Sequence, residues 1–301
     1  MPRIRFVIVL ALLAAGATLA ALGTPDREVS LASLADLWSD ALRDTDQIGM
    51  HLTRVSDAEE MKIGADLARG LTESTVKDSA AEAYVTEVAQ PLLKHVRRSG
   101  IQYQFHVIDS PEINAFALPG GQVFVMTGLL NFAQSEAELA TVLGHEMSHV
   151  DLRHCIERYQ YEIKLKKIGA PEVGSMVEFA HRIATSGFSR YQELDADAQG
   201  ERMSLEAGYD PGAGAALFTR MKAQFHEPDR ERATTPGGEL SQAAGEAIGS
   251  YFRTHPPSDE RARRLNKMVA GRRGEYYVGK ENLRERVAKG RKEYPGETRK
   301  F

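Results

Sequence analysis

A single cysteine, Cys155, among 301 residues leaves no partner for an intramolecular disulfide and no thiolate set for a Cys-rich metal site. Any metal held by this chain must rely on His, Asp and Glu. Charge of one sign is also scarce: 38 Lys and Arg stand against 42 Asp and Glu, and a formal charge of −4 gives no field that would draw in nucleic acid. Internal repeats and low-complexity stretches are absent as well. What remains, 42% hydrophobic and 27% charged residues, is the composition of a globular chain long enough to bury a core. The charge is unevenly spread. Arg261 to Phe301 holds 14 Lys and Arg against 5 Asp and Glu, a local charge of +9 that leaves −13 on residues 1–260. Residues 271–301 therefore read as a basic C-terminal tail, solvated or in contact with anionic lipid or the acidic remainder of the chain.

One uncharged run, Phe6 to Leu22, follows Arg3 and Arg5 and ends in the small residues Ala21-Leu22-Gly23. Positive start, apolar middle and small-residue end are the order of an export signal. At 17 residues the run also reaches the short limit for a spanning helix. Residues 1–23 are thus expected to be a signal peptide or an N-terminal membrane anchor. The body of the protein is then exported, either periplasmic or membrane-anchored and facing the extracytoplasmic side.

Residues 29–97 carry apolar side chains at spacings of three and four, as in "SLASLADLWSDAL" and "SDAEEMKIGADLARGL", and predict helices, with Ser56 and Asp57 as an N-cap. Residues 103–108 and 122–127 are short β-rich runs around the turn Pro119-Gly120-Gly121, which predicts strand, loop, strand. Ser135-Glu-Ala-Glu138 is a capping box that opens the next helix. Helical periodicity continues over 159–188, with a break at Gly169-Ala-Pro171, and over 189–208. Pro, Gly and Thr dominate 227–249, a loop, and "HPPSDERARRLNKMV" resumes as helix. One α+β domain over 24–270, mostly helical with a small sheet beside the helix described next, fits this order.

That helix contains "LATVLGHEMSHVDLRH", residues 139–154. Positions i and i+4 share a helix face about 5–6 Å apart at Cβ. His145 and His149 can therefore both reach one tetrahedral Zn²⁺, with Glu146 beside them to take the proton of a metal-activated water as it attacks a carbonyl. Leu139, Val142, Leu143, Met147 and Val150 make the helix largely apolar, and buried imidazoles need partners. A third ligand is required. His154 is one residue early for a ligand position shortly downstream and is set aside. Glu193 in "SRYQELDAD" is the better candidate, because Asp197 stands at i+4 from it: one acid can bind zinc while the other orients a ligand imidazole. Two His and a carboxylate favour zinc over other metals.

Four segments, "NAFALPGGQVFVMTGLL", "GHEMSHVDLRH", "SRYQELDAD" and "THPPSDERARRL", occur in the order and spacing of a known group. Over about residues 52–268 the chain resembles the gluzincin zinc metallopeptidases that include the Ste-type CAAX prenyl endopeptidases, the HtpX-type proteases and the BepA-like periplasmic peptidases. It is most similar to the last, non-polytopic branch. The resemblance implies a zincin domain holding one Zn²⁺ through His145, His149 and Glu193, with Glu146 as general base and Asp197 behind a ligand. It implies that the strand after Pro119-Gly120-Gly121 is the edge on which an extended protein or peptide substrate is aligned, which makes Gly121, Val123 and Phe124 substrate-binding residues. His255 is implied either as a donor to the developing oxyanion or as a reversible fourth zinc ligand, and Arg261 as a positioning residue. Asn114 belongs to the same strand motif. The implied activity is endopeptidase action on misfolded or membrane-associated proteins of the cell envelope, with contact to a membrane or envelope protein. The alternative is a chaperone-like binding protein with a guarded zinc site. The segment 227–249 is then a lid or selectivity loop.

Overall fold

The computed structural model describes residues 55–72, 79–167, 188–225 and 258–301. The N-terminal segment 1–23, the helix read in "SLASLADLWSDAL", the break at 169–171, the loop 227–249 and His255 lie outside these residues. Helix α1 (Asp57–Thr72) opens with a box in which Ser56 Oγ accepts from Glu59 N–H and the Glu59 carboxylate accepts from Ser56 N–H. Helix α2 (Ser79–Leu93) follows. The strands are β1 (Gln104–Ile108), β2 (Ala115–Leu118) and β3 (Gln122–Met126), with a 3₁₀ turn, Pro119–Gly121, between the last two. After the short α3 (Thr127–Phe132) come α4 (Glu136–Asp151), α5 (His154–Lys167), α6 (Arg190–Glu206), α7 (Ala213–Phe225) and α8 (Ser258–Val269). The described chain closes with β4 (Glu275–Tyr277), α9 (Lys280–Glu285) and β5 (Thr298–Lys300). This is an α+β fold, mostly helical with a small mixed sheet. Among the described residues no helix is long and apolar enough to cross a membrane.

The sheet differs from the strand–loop–strand reading in one respect that matters. Residues 115–118, inside the expected loop, form β2, and the sheet order is β1-β3-β2. β3 runs parallel to β1, with Val107 opposite Val125, and antiparallel to β2, with Phe116 opposite Phe124. β3 is thus the central strand and not an edge. The turn that joins β2 to β3 needs left-handed backbone at Gly120 (φ 73°) and Gly121 (φ 89°), which glycine alone adopts at little cost.

Helix α4 is buried along its entire length, from Glu136 to Asp151. Its polar side chains are met from every direction. Glu136 accepts from Tyr84 and Tyr209 hydroxyls (3.2 and 2.8 Å) and from Lys289 N–H (2.9 Å). Glu138 accepts from both terminal nitrogens of Arg220 (2.7 and 2.6 Å). Thr141 and Ser148 donate to carbonyls one turn back, and Asp151 receives the amides of Arg97 and Arg98 and the Gln199 side chain. The capping box at its start is shifted by one residue: Ser135 Oγ accepts from Glu138 N–H, while the Glu138 carboxylate accepts from Gln134 N–H.

The segment expected to be a basic tail instead closes over that end of α4. Gly279 and Val278 carbonyls accept from the amides of Glu136 and Ala137 (2.9 and 3.1 Å), two of the donors that a helix start leaves without an intrahelical partner. Tyr277, Leu283 and Ala288 are buried in the main core, and β4 pairs antiparallel with β5. Cationic composition concealed an ordered element because its apolar residues are few and widely spaced.

Helix α6 crosses α4 at two glycines. A Cβ on Gly200 would stand 2.6 Å from His145 N, and one on Gly144 2.8 Å from Gly200 O. Adding a methyl there forces the helices apart. Gly200→Ala is expected to cost about 1–3 kcal/mol of stability by overpacking, and to weaken zinc affinity measured by chelator competition, because the spacing of the two helices sets the donor geometry described below. One α6 carboxyl stores a pH dependence. Glu201 is 1% exposed, and burial, aided by the charges of Asp197 and Asp210, pushes it up to about 8. Between its ordinary 4.5 and about 8 the unfolded chain releases this proton while the folded one keeps it, so the stability it contributes is lost as pH rises through that window. Glu201→Gln should therefore melt several degrees above the parent at pH 9 and close to it at pH 5, read by thermal unfolding across pH.

Candidate metal centre and active site

Two consecutive turns of α4 present His145 and His149 on one face, and the first turn of α6 presents Glu193 opposite them. His145 Nε2 and His149 Nε2 are 3.1 Å apart, and Glu193 carboxylate oxygens lie 3.4 Å from each. The three donors fall within 4.8 Å of one another and all are buried. Two imidazole nitrogens and one carboxylate turned toward a common point are the donor set of a zinc site with a coordination position left for water or substrate. The donors present therefore fit one Zn²⁺.

Behind His145, Asp197 Oδ1 stands 2.9 Å from Nδ1, one turn along α6 from Glu193. Arg261, from α8, is fully buried and binds Asp197 through Nε (2.9 Å) and Nη2 (2.6 Å), with its guanidinium 4.1 Å above the Phe218 ring. Burial favours a neutral Asp197, but Arg261 and His145 outweigh it and hold the carboxyl at about 2. For His145, burial and Arg261 oppose protonation, yet Asp197 and Glu193 raise it to about 9. Glu146, the next residue, is fully buried. Desolvation pushes its carboxyl up to about 8, and the nearby Glu193 charge adds to this, whereas His145, Arg261 and the Ala117 backbone act downward.

The structure does not bring every sequence-selected residue to this point. Val123 and Phe124 belong to the central strand, where both backbone edges are engaged, and Phe124 is stacked between Phe116 (4.9 Å) and His106 (4.6 Å). Gly121 lies in the turn, where a Cβ would meet Gln102 O at 2.7 Å. The edge assigned to Val123 and Phe124 is corrected to β2: Asn114 O accepts from Met126 N–H, so in strand alternation the backbone groups of Asn114, Phe116 and Leu118 face β3 and those of Ala115 and Ala117 face away from it, with the Ala117 backbone turned to Glu146. The Asn114 side chain accepts from Ala115 N–H (2.9 Å).

One residue that sequence reasoning set aside belongs to the site. His154 is 3% exposed, and its Nδ1 is 3.1 Å from His149 Nδ1, while Phe188 stacks on the His149 ring at 3.8 Å. As a continuation of α4 it would point away. The helix ends instead at Leu152, Arg153 adopts φ 68°, and the chain doubles back so that His154 starts α5 against His149. A positive φ at a non-glycine residue leaves no mark in sequence. With His149 Nε2 turned to the metal, its Nδ1–H is the donor and His154 Nδ1 the acceptor, which orients the ligand ring. His154→Ala should weaken zinc binding about 10-fold or more, measured by competition with a chromophoric chelator, with far-UV circular dichroism unchanged.

A profile of peptidase family M48 matches residues 79–269. The chain is 30% identical over 203 residues to the mitochondrial metalloendopeptidase OMA1 of Arabidopsis thaliana, covering 65% of this chain and 35% of that one. It is 30% identical over 193 residues to OMA1 of Schizosaccharomyces pombe, covering 62% and 52%. It is 28% identical over 196 residues to the beta-barrel assembly-enhancing protease of Escherichia coli, covering 58% and 40%. The chain thus spans between about a third and a half of the length of these relatives. The profile takes in the sheet, the His145–His149 helix, Glu193 and Arg261, well over half of the chain, and the protein belongs to peptidase family M48.

Proposed function

We propose that the protein is a zinc endopeptidase acting on proteins of the cell envelope. The observation that carries this is the convergence of His145, His149 and Glu193 with Glu146 alongside, on a buried and rigid helix pair. Bound zinc would supply Lewis acidity, polarising a scissile carbonyl and acidifying a water. The protein's own residues do the rest. Glu146 takes the proton from the attacking water and passes it to the leaving amine. Asp197, locked by Arg261, fixes the His145 ring, and His154 fixes that of His149. β2, at the sheet edge beside Glu146, is the element along which an extended peptide would lie, its backbone read with little demand on sequence. For location the support is the Arg3–Arg5 start and the apolar run from Phe6 to Leu22, which favour export. Misfolded or membrane-associated proteins are the proposed substrates; the relatives' names support the protease activity, one as a metalloendopeptidase and one as a protease that enhances beta-barrel assembly.

A guarded binding protein with the same site is the second reading. It draws on the complete burial of Glu146, His149 and Glu193. Glu146→Gln separates the two. The enzyme reading expects hydrolysis of a quenched peptide or of casein to fall by about 10²–10⁴-fold, with one zinc per chain retained by metal analysis. It also expects a chelator to abolish cleavage by the parent and zinc to restore it. A zinc-loaded parent that cleaves no unfolded protein sinks the enzyme reading and leaves the binder.

A further inference from the structure

Helix α1 precedes the family-matched residues, yet it carries a carboxylate placed where no solvent reaches it. Glu60 is fully buried. Its Oε1 accepts from Gly120 N–H (3.1 Å), in the turn between β2 and β3, and its Oε2 meets Arg98 Nη2 (2.5 Å) and stands 3.7 Å from Arg153 Nη1. Both arginines stand at the far end of α4, Arg98 from the segment after α2 and Arg153 from the turn that follows the helix. Arg98 also donates to Val150 O (2.8 Å), and its amide and that of Arg97 bind Asp151. Arg153 closes the turn after the helix and reaches back to Val55 O (2.7 Å). One carboxylate therefore joins the turn that ends β2 to the end of the helix that carries Glu146.

The contact between α1 and that turn has no slack. A Cβ on Gly64 would fall 1.8 Å from Pro119 O, and one on Gly120 2.5 Å from Glu60 O. Ala117, three residues before Gly120, has its backbone turned to the Glu146 carboxylate. A turn that drifts moves Ala117 with it, because β2 is only four residues long. We propose that Glu60 is a positioning residue for Glu146, acting through the Gly120 amide and β2. Glu60 does not touch substrate or metal. It sets the approach of strand and helix between which the proton acceptor stands. The inference rests on the proposed peptidase reading for its kinetic consequence and on geometry alone for its structural one.

Two uncharged variants of the full chain separate this role from mere support of the fold. Glu60→Gln keeps an oxygen acceptor for Gly120 N–H and loses the charge opposite Arg98; Glu60→Met keeps the volume and loses both. Positioning predicts that kcat for a quenched peptide follows the acceptor: within about 3-fold of the parent in Glu60→Gln and about 10-fold or more lower in Glu60→Met, the cost of losing one buried hydrogen bond. The melting temperature, by contrast, falls in both, and zinc affinity stays within about 2-fold, since no residue orienting the donors is altered. Hydrogen exchange of the 115–121 amides should quicken in Glu60→Met and stay parent-like in Glu60→Gln. Gly64→Ala displaces the same turn without touching Glu60 and should repeat the kcat loss, which keeps the test open if Glu60→Met does not fold. Equal kcat in both Glu60 variants with parent-like exchange at 115–121 overturns the inference. A parent without any hydrolysis overturns the peptidase reading instead, and the exchange measurement then decides the role of Glu60.

Discussion

Everything at the metal centre depends on how closely two helix backbones approach. Gly144 and Gly200 leave no room for a side chain between α4 and α6, and the residue after Gly144 is His145. At this separation Glu193 reaches both imidazoles from one turn of α6 and Asp197 reaches the back of His145 from the next. A wider spacing would leave a carboxylate unable to bridge the gap, and no rotamer change recovers a displacement of helix axes. Protein interiors are close-packed, so the constraint is transmitted as a fixed distance and not as a soft preference.

A second demand follows from the first. A helix that must be approached so closely has no face for water, and α4 is buried from Glu136 to Asp151 although half of its residues are polar. Thr141 and Ser148 find partners within the helix, but its charged groups need partners supplied by other elements, or their burial would cost about 1–3 kcal/mol or more each. The partners come from α2, α6, α7, the segment after Leu93 and the C-terminal segment. The fold can thus be read as a set of elements arranged around the polar requirements of one helix. The site lies at its middle, where the requirement is met by ligands facing each other and by the ion they fit.

The donor trio was legible because its geometry is local. His145 and His149 follow from helical spacing alone, and Glu193 with Asp197 repeats that spacing on a second helix. Capping residues were equally readable, since Ser56 and Ser135 sit where helices begin and their partners are three residues away; Ser189, read as the first residue of its helix, is instead the N-cap. What escaped was non-local. "AFAL" in β2 has no alternation, because all four residues are buried, and nothing in four apolar letters says which side of β3 they will pair with. His154 escaped because an unusual backbone at Arg153, not a side-chain pattern, returns it to His149. The residues from 271 onward escaped because charge outweighed a few core positions in their composition, although Tyr277 and Leu283 are buried in the core.

The caps that Val278 and Gly279 place on the first amides of α4 lie some 140 residues downstream of it. A chain emerging from a ribosome carries both histidines and the glutamate long before it carries those carbonyls. Until they arrive, Glu136 also lacks the Lys289 amide, and the helix start has a buried acid and unmatched donors. Order in the metal helix is therefore completed late, from the far side of the sequence. A metal centre assembled in that order is complete only when residues 278–289 are in place.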